Sequence, residues 1–157
     1  MEENKVLNMA ITVDDGSRRV PIQNTSGEEI GAFTFHPTDI GILQRYNDMV
    51  DTFDDITAPL EALGAVEEGA EVSDPKYAEA LKEADRRLRG SVGRLLGSDD
   101  AADAFFGKTN PFSPVNGEFY CTQVLNAVGA YIGAAFETET AKFSDKAKKY
   151  ARKAGRK

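Results

Sequence analysis

The sequence predicts an α+β fold that is mostly helical, with a small N-terminal antiparallel β hairpin or meander packed on a bundle of about four helices. Short apolar runs separated by turn residues occupy residues 9–36, which is typical of strands. Apolar residues then recur at three- and four-residue steps, which is typical of amphipathic helices. The length of 157 residues suits one domain that buries an adequate core.

Charge divides the chain into unequal parts. The net charge is −7, but residues 142–157 carry eight Lys and Arg against one acid, which leaves −14 for residues 1–141. We therefore expect a disordered N-terminus over residues 1–8, a single α+β domain over residues 9–141 and a basic helical extension over residues 142–157. The acidic body should repel nucleic acid and membranes, and only the extension could attract them.

Three runs in the N-terminal region predict strands. They are residues 9–13, 18–23 and 29–35, separated by the turn signals Asp14-Asp15-Gly16 and residues 24–28. Pro21 confines the second strand to an edge, because proline has no N–H for a ladder hydrogen bond. A β element of this size needs a partner to pack against.

Four helices follow in the predicted order. The first is capped by Thr38 or Asp39 and is kinked or ended by Pro59, with Gly64 ending any continuation. Its apolar stripe comprises Ile40, Leu43, Tyr46, Met49, Val50, Phe53 and Ile56. The second helix opens at Pro75 after the cap Ser73-Asp74, and a short third helix covers residues 99–106. A loop over residues 107–116 leads to a last helix that opens at Gly117 or Glu118 and is rich in small residues.

The residues needed for catalysis do not form a recognisable set, so we expect no enzyme activity and no cofactor. His36 is the only histidine and Cys121 the only cysteine, which excludes a multi-His metal site and a Cys-based zinc site. We expect a structural or incidental His36 and a buried Cys121. Gly107-Lys108-Thr109 has the last letters of a P-loop, but Ala102 stands where the first glycine belongs. The carboxylates Asp48, Asp51, Asp54 and Asp55 do not follow the order of a calcium-binding loop, so we expect a solvated helix face.

Three features of the sequence indicate the cellular compartment of the protein. One thiol fits a reducing environment. No run approaches the ~20 apolar residues that span a bilayer, and the N-terminal residues lack the apolar core of a signal peptide. We expect a soluble cytosolic protein.

The basic extension has three interpretations. It is a solvated helix end whose cations suit the helix dipole, an electrostatic arm for nucleic acid or an acidic protein, or an amphipathic basic helix that docks on a partner. The spacing of Phe143, Ala147 and Tyr150 supports the third, and the lack of interleaved glycines and further aromatics argues against nucleic acid. The candidate partner-binding residues are Tyr46, Phe53, Phe143, Lys146, Lys149, Tyr150, Arg152 and Lys153.

One long segment resembles a known family. Residues 95–110, LLGSDDAADAFFGKTN, end one helix, form a short one and offer a Phe-Gly-Lys loop, and residues 119–128, FYCTQVLNAV, follow in a final helix with a Cys. This pattern resembles the small tail assembly chaperones of siphophages and related prophages. Upstream, a β segment ending at Phe33-Thr34-Phe35 and a Thr-Asp-capped helix with Tyr46 agree with it. The resemblance covers residues 28–135, and neither residues 9–24 nor the extension after Glu139 belongs to the pattern.

The resemblance implies a function without catalysis. Such a protein binds the tape measure protein and tail tube protein, and it keeps the tape measure soluble in the cytoplasm of the bacterial host until tube subunits polymerise around it. Apart from the resemblance, the small residues of the last helix permit close helix approach, which fits self-association and equally fits core packing. The alternative is a structural virion protein, a tail or head–tail connector component, whose basic arm contacts DNA or a neighbouring subunit.

Overall fold

The computed structural model describes residues 9–62 and 75–154. Within them the order of elements is β1 (Arg18–Gln23), β2 (Glu29–Phe35), α1 (Gly41–Ala62), α2 (Pro75–Leu96), α3 (Ala101–Phe106), β3 (Pro114–Val115), β4 (Glu118–Phe119) and α4 (Tyr120–Ala154). The prediction of a mostly helical α+β fold with an N-terminal hairpin is confirmed. Residues 1–8, the expected helix end at Gly64 and the expected cap Ser73-Asp74 lie outside the described residues.

The N-terminal β element is a two-stranded hairpin, and the prediction of a third strand is wrong. β1 pairs antiparallel with β2, with Arg18 opposite Phe35 and Val20 opposite Phe33. Residues 9–13 form no strand, and Ile11 is 93% exposed. Pro21 in β1 has no N–H for a hydrogen bond between strands. A third strand would therefore pair less well with β1.

The core lies where the hairpin, α3 and the three long helices meet. α1 and α2 run antiparallel, since Arg45 donates to the Leu95 carbonyl and Arg87 donates to the Asp55 carbonyl. The hairpin packs on α3, where Phe33 and Phe105 have ring centroids 5.2 Å apart. The fully buried large side chains of the helices are Ile42, Ile56, Leu60, Leu88, Val92 and Leu95.

The last helix begins at Tyr120, two or three residues later than the expected start at Glu118 or Gly117. Asn116 and Gly117 both have positive φ angles and form the turn of a small hairpin between β3 and β4. An Asn-Gly pair is the preferred turn for such a hairpin. α4 then starts at Tyr120 and continues without a break for 35 residues, about 52 Å. The basic extension is therefore helical through Ala154.

Candidate protein-binding site

An open groove separates α1 from α4. The ring centroids of Phe53 in α1 and Phe112 are 6.4 Å apart, and Phe112 contacts Phe119 just before α4. Tyr46 instead reaches Leu125 and Gly129. The two helices therefore run antiparallel. We call the space between them the α1–α4 groove, of about 790 Å³, and its lining residues are Leu43, Tyr46, Asn47, Asn126, Gly129, Ala130, Ile132, Gly133 and Phe136.

Three of the six residues of α4 that line the groove are small, which leaves it wide: Gly129, Ala130 and Gly133. Gly129 lies against the Tyr46 ring, but a Cβ built at Gly133 would meet nothing within 4 Å. Small residues on one helix normally let a second helix approach closely. Here α1 touches α4 at Gly129 and leaves Gly133 open.

Part of the predicted apolar stripe of α1 is exposed. Leu43 is 47% exposed and Val50 is 55% exposed, and Ile40 lies before the helix with its side chain in solvent. The helix is buried along Ile42, Met49 and Ile56, and successive residues of a helix are rotated by about 100°. Leu43 and Val50 therefore fall at the edge of the buried arc.

Carboxylates continue this exposed edge. Asp48, Asp51, Asp54 and Asp55 are all exposed, as the solvated-face interpretation expects. Asp54 lies four residues after Val50 and Asp51 lies four residues after Asn47, so both border the exposed apolar pair. We call Leu43, Asn47, Val50, Asp51 and Asp54 the outer face of α1.

The second half of α4 extends beyond the folded body. Every side chain that the structure describes between Thr140 and Lys149 is exposed, and Phe143 is 74% exposed. Lys142 donates to Glu139 within the helix. We call residues 140–154 the distal helix.

The predicted partner-binding residues divide into two groups. Tyr46 and Phe53 are half-buried and pack against the core, with Tyr46 at the wall of the groove. Phe143, Lys146 and Lys149 lie exposed on the distal helix. Tyr150, Arg152 and Lys153 belong to the same helix, but their side chains lie outside the described part of the chain. The exposure of Leu43 and Val50 was not foreseen, since periodicity alone cannot show which edge of a stripe lacks a neighbour.

The residues considered for catalysis have other surroundings. His36 is half-exposed, with Nε2 3.4 Å from Asp15. The Ser17 side chain, its backbone N–H and then His36 lower the pKa of Asp15 to about 2. Cys121 is buried, and desolvation raises the pKa of its thiol to about 12. Gly107-Lys108-Thr109 lies in a turn that leads to a loop, not to the start of a helix as in a P-loop.

Within residues 9–62 and 75–154, no group of three or more His, Cys, Asp or Glu side chains could hold a metal ion. Among the helices described, none has a stretch apolar and long enough to cross a membrane. No protein-family model, curated protein or solved structure matches the chain.

Proposed function

We propose that this protein works by binding another protein, without catalysis, and that it is a tail assembly chaperone for the phage tape measure protein and tail tube protein. The resemblance of residues 28–135 to such chaperones supports the choice of client. In this proposal the protein acts in the cytoplasm of the bacterial host. It needs no cofactor.

The observation that carries the proposal is the open α1–α4 groove, which is lined mainly by apolar side chains. A long helical client exposes apolar stripes before it is enclosed, and an amphipathic helix can lay such a stripe into an apolar groove. Exposed apolar side chains that border a groove are typical of interaction sites. The acidic surface of the body would keep a complex with an apolar client dispersed.

Co-expression with the tape measure protein tests the proposal. We expect a larger soluble fraction of the tape measure protein when this chain is present. An unchanged soluble fraction would refute the chaperone function.

A matched pair of variants tests the groove. Gly133→Leu should place a side chain in the groove without a clash, because nothing lies within 4 Å of its Cβ position. Ala134→Leu is the control, since Ala134 is exposed on the same helix and does not line the groove. We expect Gly133→Leu to reduce the soluble fraction of the client and Ala134→Leu to leave it unchanged. Circular dichroism should show that both variants are folded.

The structural virion protein is a second candidate, and the exposed basic distal helix favours it. Such a helix could contact DNA or a neighbouring subunit in a particle. Mass spectrometry of purified particles separates the two functions, because a chaperone is lost from the finished tail and a structural component stays. Stoichiometric recovery of this chain in particles would favour the second candidate.

A further inference from the structure

The distal helix has the pattern of a docking helix. Phe143 and Tyr150 are seven residues apart, two helical turns, and so lie on one face. Lys142, Lys146 and Lys149 lie along one flank of that face. A solvated helix end needs no apolar stripe, yet Phe143 is 74% exposed. An unpartnered phenylalanine flanked by lysines fits a surface that is apolar in the middle and acidic at the side.

The outer face of α1 has the complementary pattern. Leu43 and Val50 are also seven residues apart, and both are exposed. Asp51 and Asp54 flank them. Gly41–Ala62 contains five acids and one arginine, whereas residues 142–154 contain six cations and one acid. The two surfaces therefore match in apolar spacing and are opposite in charge.

The distal helix cannot reach the outer face of its own α1. α4 is one continuous helix, and residues 134–154 contain neither glycine nor proline at which it could fold back. α1 runs antiparallel to α4, with Tyr46 at Gly129 and with Leu43 lining the same groove as Gly133 and Phe136. The distal helix thus continues past the first turn of α1, and within residues 9–62 and 75–154 nothing covers its described side chains.

The available area favours a reciprocal contact. A helix about 10 Å wide and about 20 Å long has a side surface of about 600 Å², of which one face buries about 300 Å². With the equal area on α1, one contact buries about 600 Å² and two bury about 1,200 Å², the lower limit for specific interfaces. Two reciprocal contacts also close the assembly at two subunits.

We propose that the distal helix of one copy lies along the outer face of α1 in a second copy, and that the second copy reciprocates, so that the chain forms a dimer. Phe143 packs between Leu43 and Val50 of the second copy. Lys146 and Lys149 pair with Asp51 and Asp54. This inference does not rest on the identity of the client and stands if the chaperone proposal fails.

Charge reversal with mixing tests the dimer. The measurement is the molar mass of the full-length chain by light scattering after size exclusion, in low and high salt. We expect a dimer in low salt that dissociates as salt rises, because the contacts are partly ionic. Lys146→Glu with Lys149→Glu, and separately Asp51→Lys with Asp54→Lys, should each weaken self-association at least about tenfold. An equimolar mixture of the two variants should restore a dimer, because each distal helix then meets an outer face of opposite charge.

The control carries the same change of net charge as the reversal of Lys146 and Lys149, but at other positions. Lys82 and Lys108 are exposed and lie outside both surfaces, so Lys82→Glu with Lys108→Glu should leave the dimer intact. A wild-type chain that stays monomeric in low salt at high concentration would overturn the proposal. So would a dimer that survives both reversals, or a mixture that stays monomeric. Binding of double-stranded DNA by the wild type, with no dimer, would assign the distal helix to nucleic acid instead.

Discussion

The ring of Tyr46 on α1 lies so close to Gly129 on α4 that an added Cβ at Gly129 would be 2.8 Å from the tyrosine Oη. The Tyr46 hydroxyl also donates to the Leu125 carbonyl at 3.5 Å. This contact sets how closely the two helices approach beside the α1–α4 groove, which both residues line. Four residues further along α4, Gly133 has open space at its Cβ position.

The two glycines of α4 should respond oppositely to alanine. Gly133→Ala should stabilise the protein by up to about 1 kcal/mol, because alanine favours a helix interior and nothing obstructs its methyl group. Gly129→Ala gains the same propensity but forces the Tyr46 ring to move, so it should be less stable than Gly133→Ala by about 1 kcal/mol or more. Urea unfolding measures both. Tyr46→Phe removes the tyrosine Oη, the atom nearest to the added methyl group. In that background the stability difference between Gly129→Ala and Gly133→Ala should shrink. An undiminished difference would contradict the contact between Tyr46 and Gly129.

Gly31→Ala should destabilise the protein more than Gly129→Ala does. Gly31 in β2 faces α3, where an added Cβ would lie 2.5 Å from the Ala104 carbonyl oxygen and 3.1 Å from its Cα. The obstacle is backbone, which cannot rotate aside, so we expect a loss of about 2–4 kcal/mol in the free energy of unfolding. Thermal unfolding followed by circular dichroism measures it. Ala32→Gly is the neighbouring control, and it should cost only about 1 kcal/mol through chain entropy.

Strands and helices with clear local sequence signals were predicted correctly. Residues 18–23 and 29–35 were predicted as strands from their apolar alternation and from the turn between them, and the observed hairpin has the same bounds. Pro75 opens α2 as expected for a proline in the first turn. The run at residues 9–13 has the same local character but forms no strand, because a strand also has to pair with a neighbour, and local character does not determine that pairing.

The candidate site was less predictable for the same reason. The periodicity of α1 identified an apolar stripe, but it could not show that Leu43 and Val50 lie beyond the packed arc. Gly129 and Gly133 look alike in the sequence, and only the position of Tyr46 distinguishes them. The turn at Asn116-Gly117 did carry a readable signal, since that dipeptide is typical of a two-residue hairpin.

Arg89 should matter more to stability than its neighbour Arg86. Arg89 Nη1 lies 2.8 Å from Asp103, Nη2 donates to the Thr109 carbonyl at 3.0 Å, and the guanidinium lies over the Phe106 ring. The side chain is only 21% exposed and connects α2 to α3 and the following loop, and lysine cannot reproduce this planar fork. We expect Arg89→Lys to lose about 1–2 kcal/mol in urea unfolding.

Arg86→Lys provides the comparison for that measurement. Arg86 pairs with Glu83 one turn away, and its side chain is 72% exposed. Exposed pairs of this kind contribute little, so we expect a change within about 0.5 kcal/mol. Equal losses in the two variants would show that the bridge from α2 to α3 does not stabilise the fold.

The Cys121 thiol should be inert in the folded protein at neutral pH. Burial raises its pKa to about 12, whereas an ordinary thiol has a pKa near 9. Because the thiolate is the reactive form, we expect labelling by an aromatic disulfide at pH 8 to be at least about 1,000-fold slower than in urea-unfolded protein. Labelling at the rate of the unfolded chain would show that the thiol is accessible.

The same shift predicts a dependence of stability on pH. Between pH 9 and about 12 the unfolded chain loses the thiol proton while the folded chain keeps it, so the free energy of unfolding should fall as pH rises, by up to about 1.4 kcal/mol per pH unit from this group. Below pH 9 both states keep the proton and this contribution is constant. Cys121→Ala removes the group, so the difference in stability between the variant and the wild type should narrow across that range. Urea unfolding of both proteins between pH 8 and pH 11 measures it, and a constant difference would contradict the raised pKa.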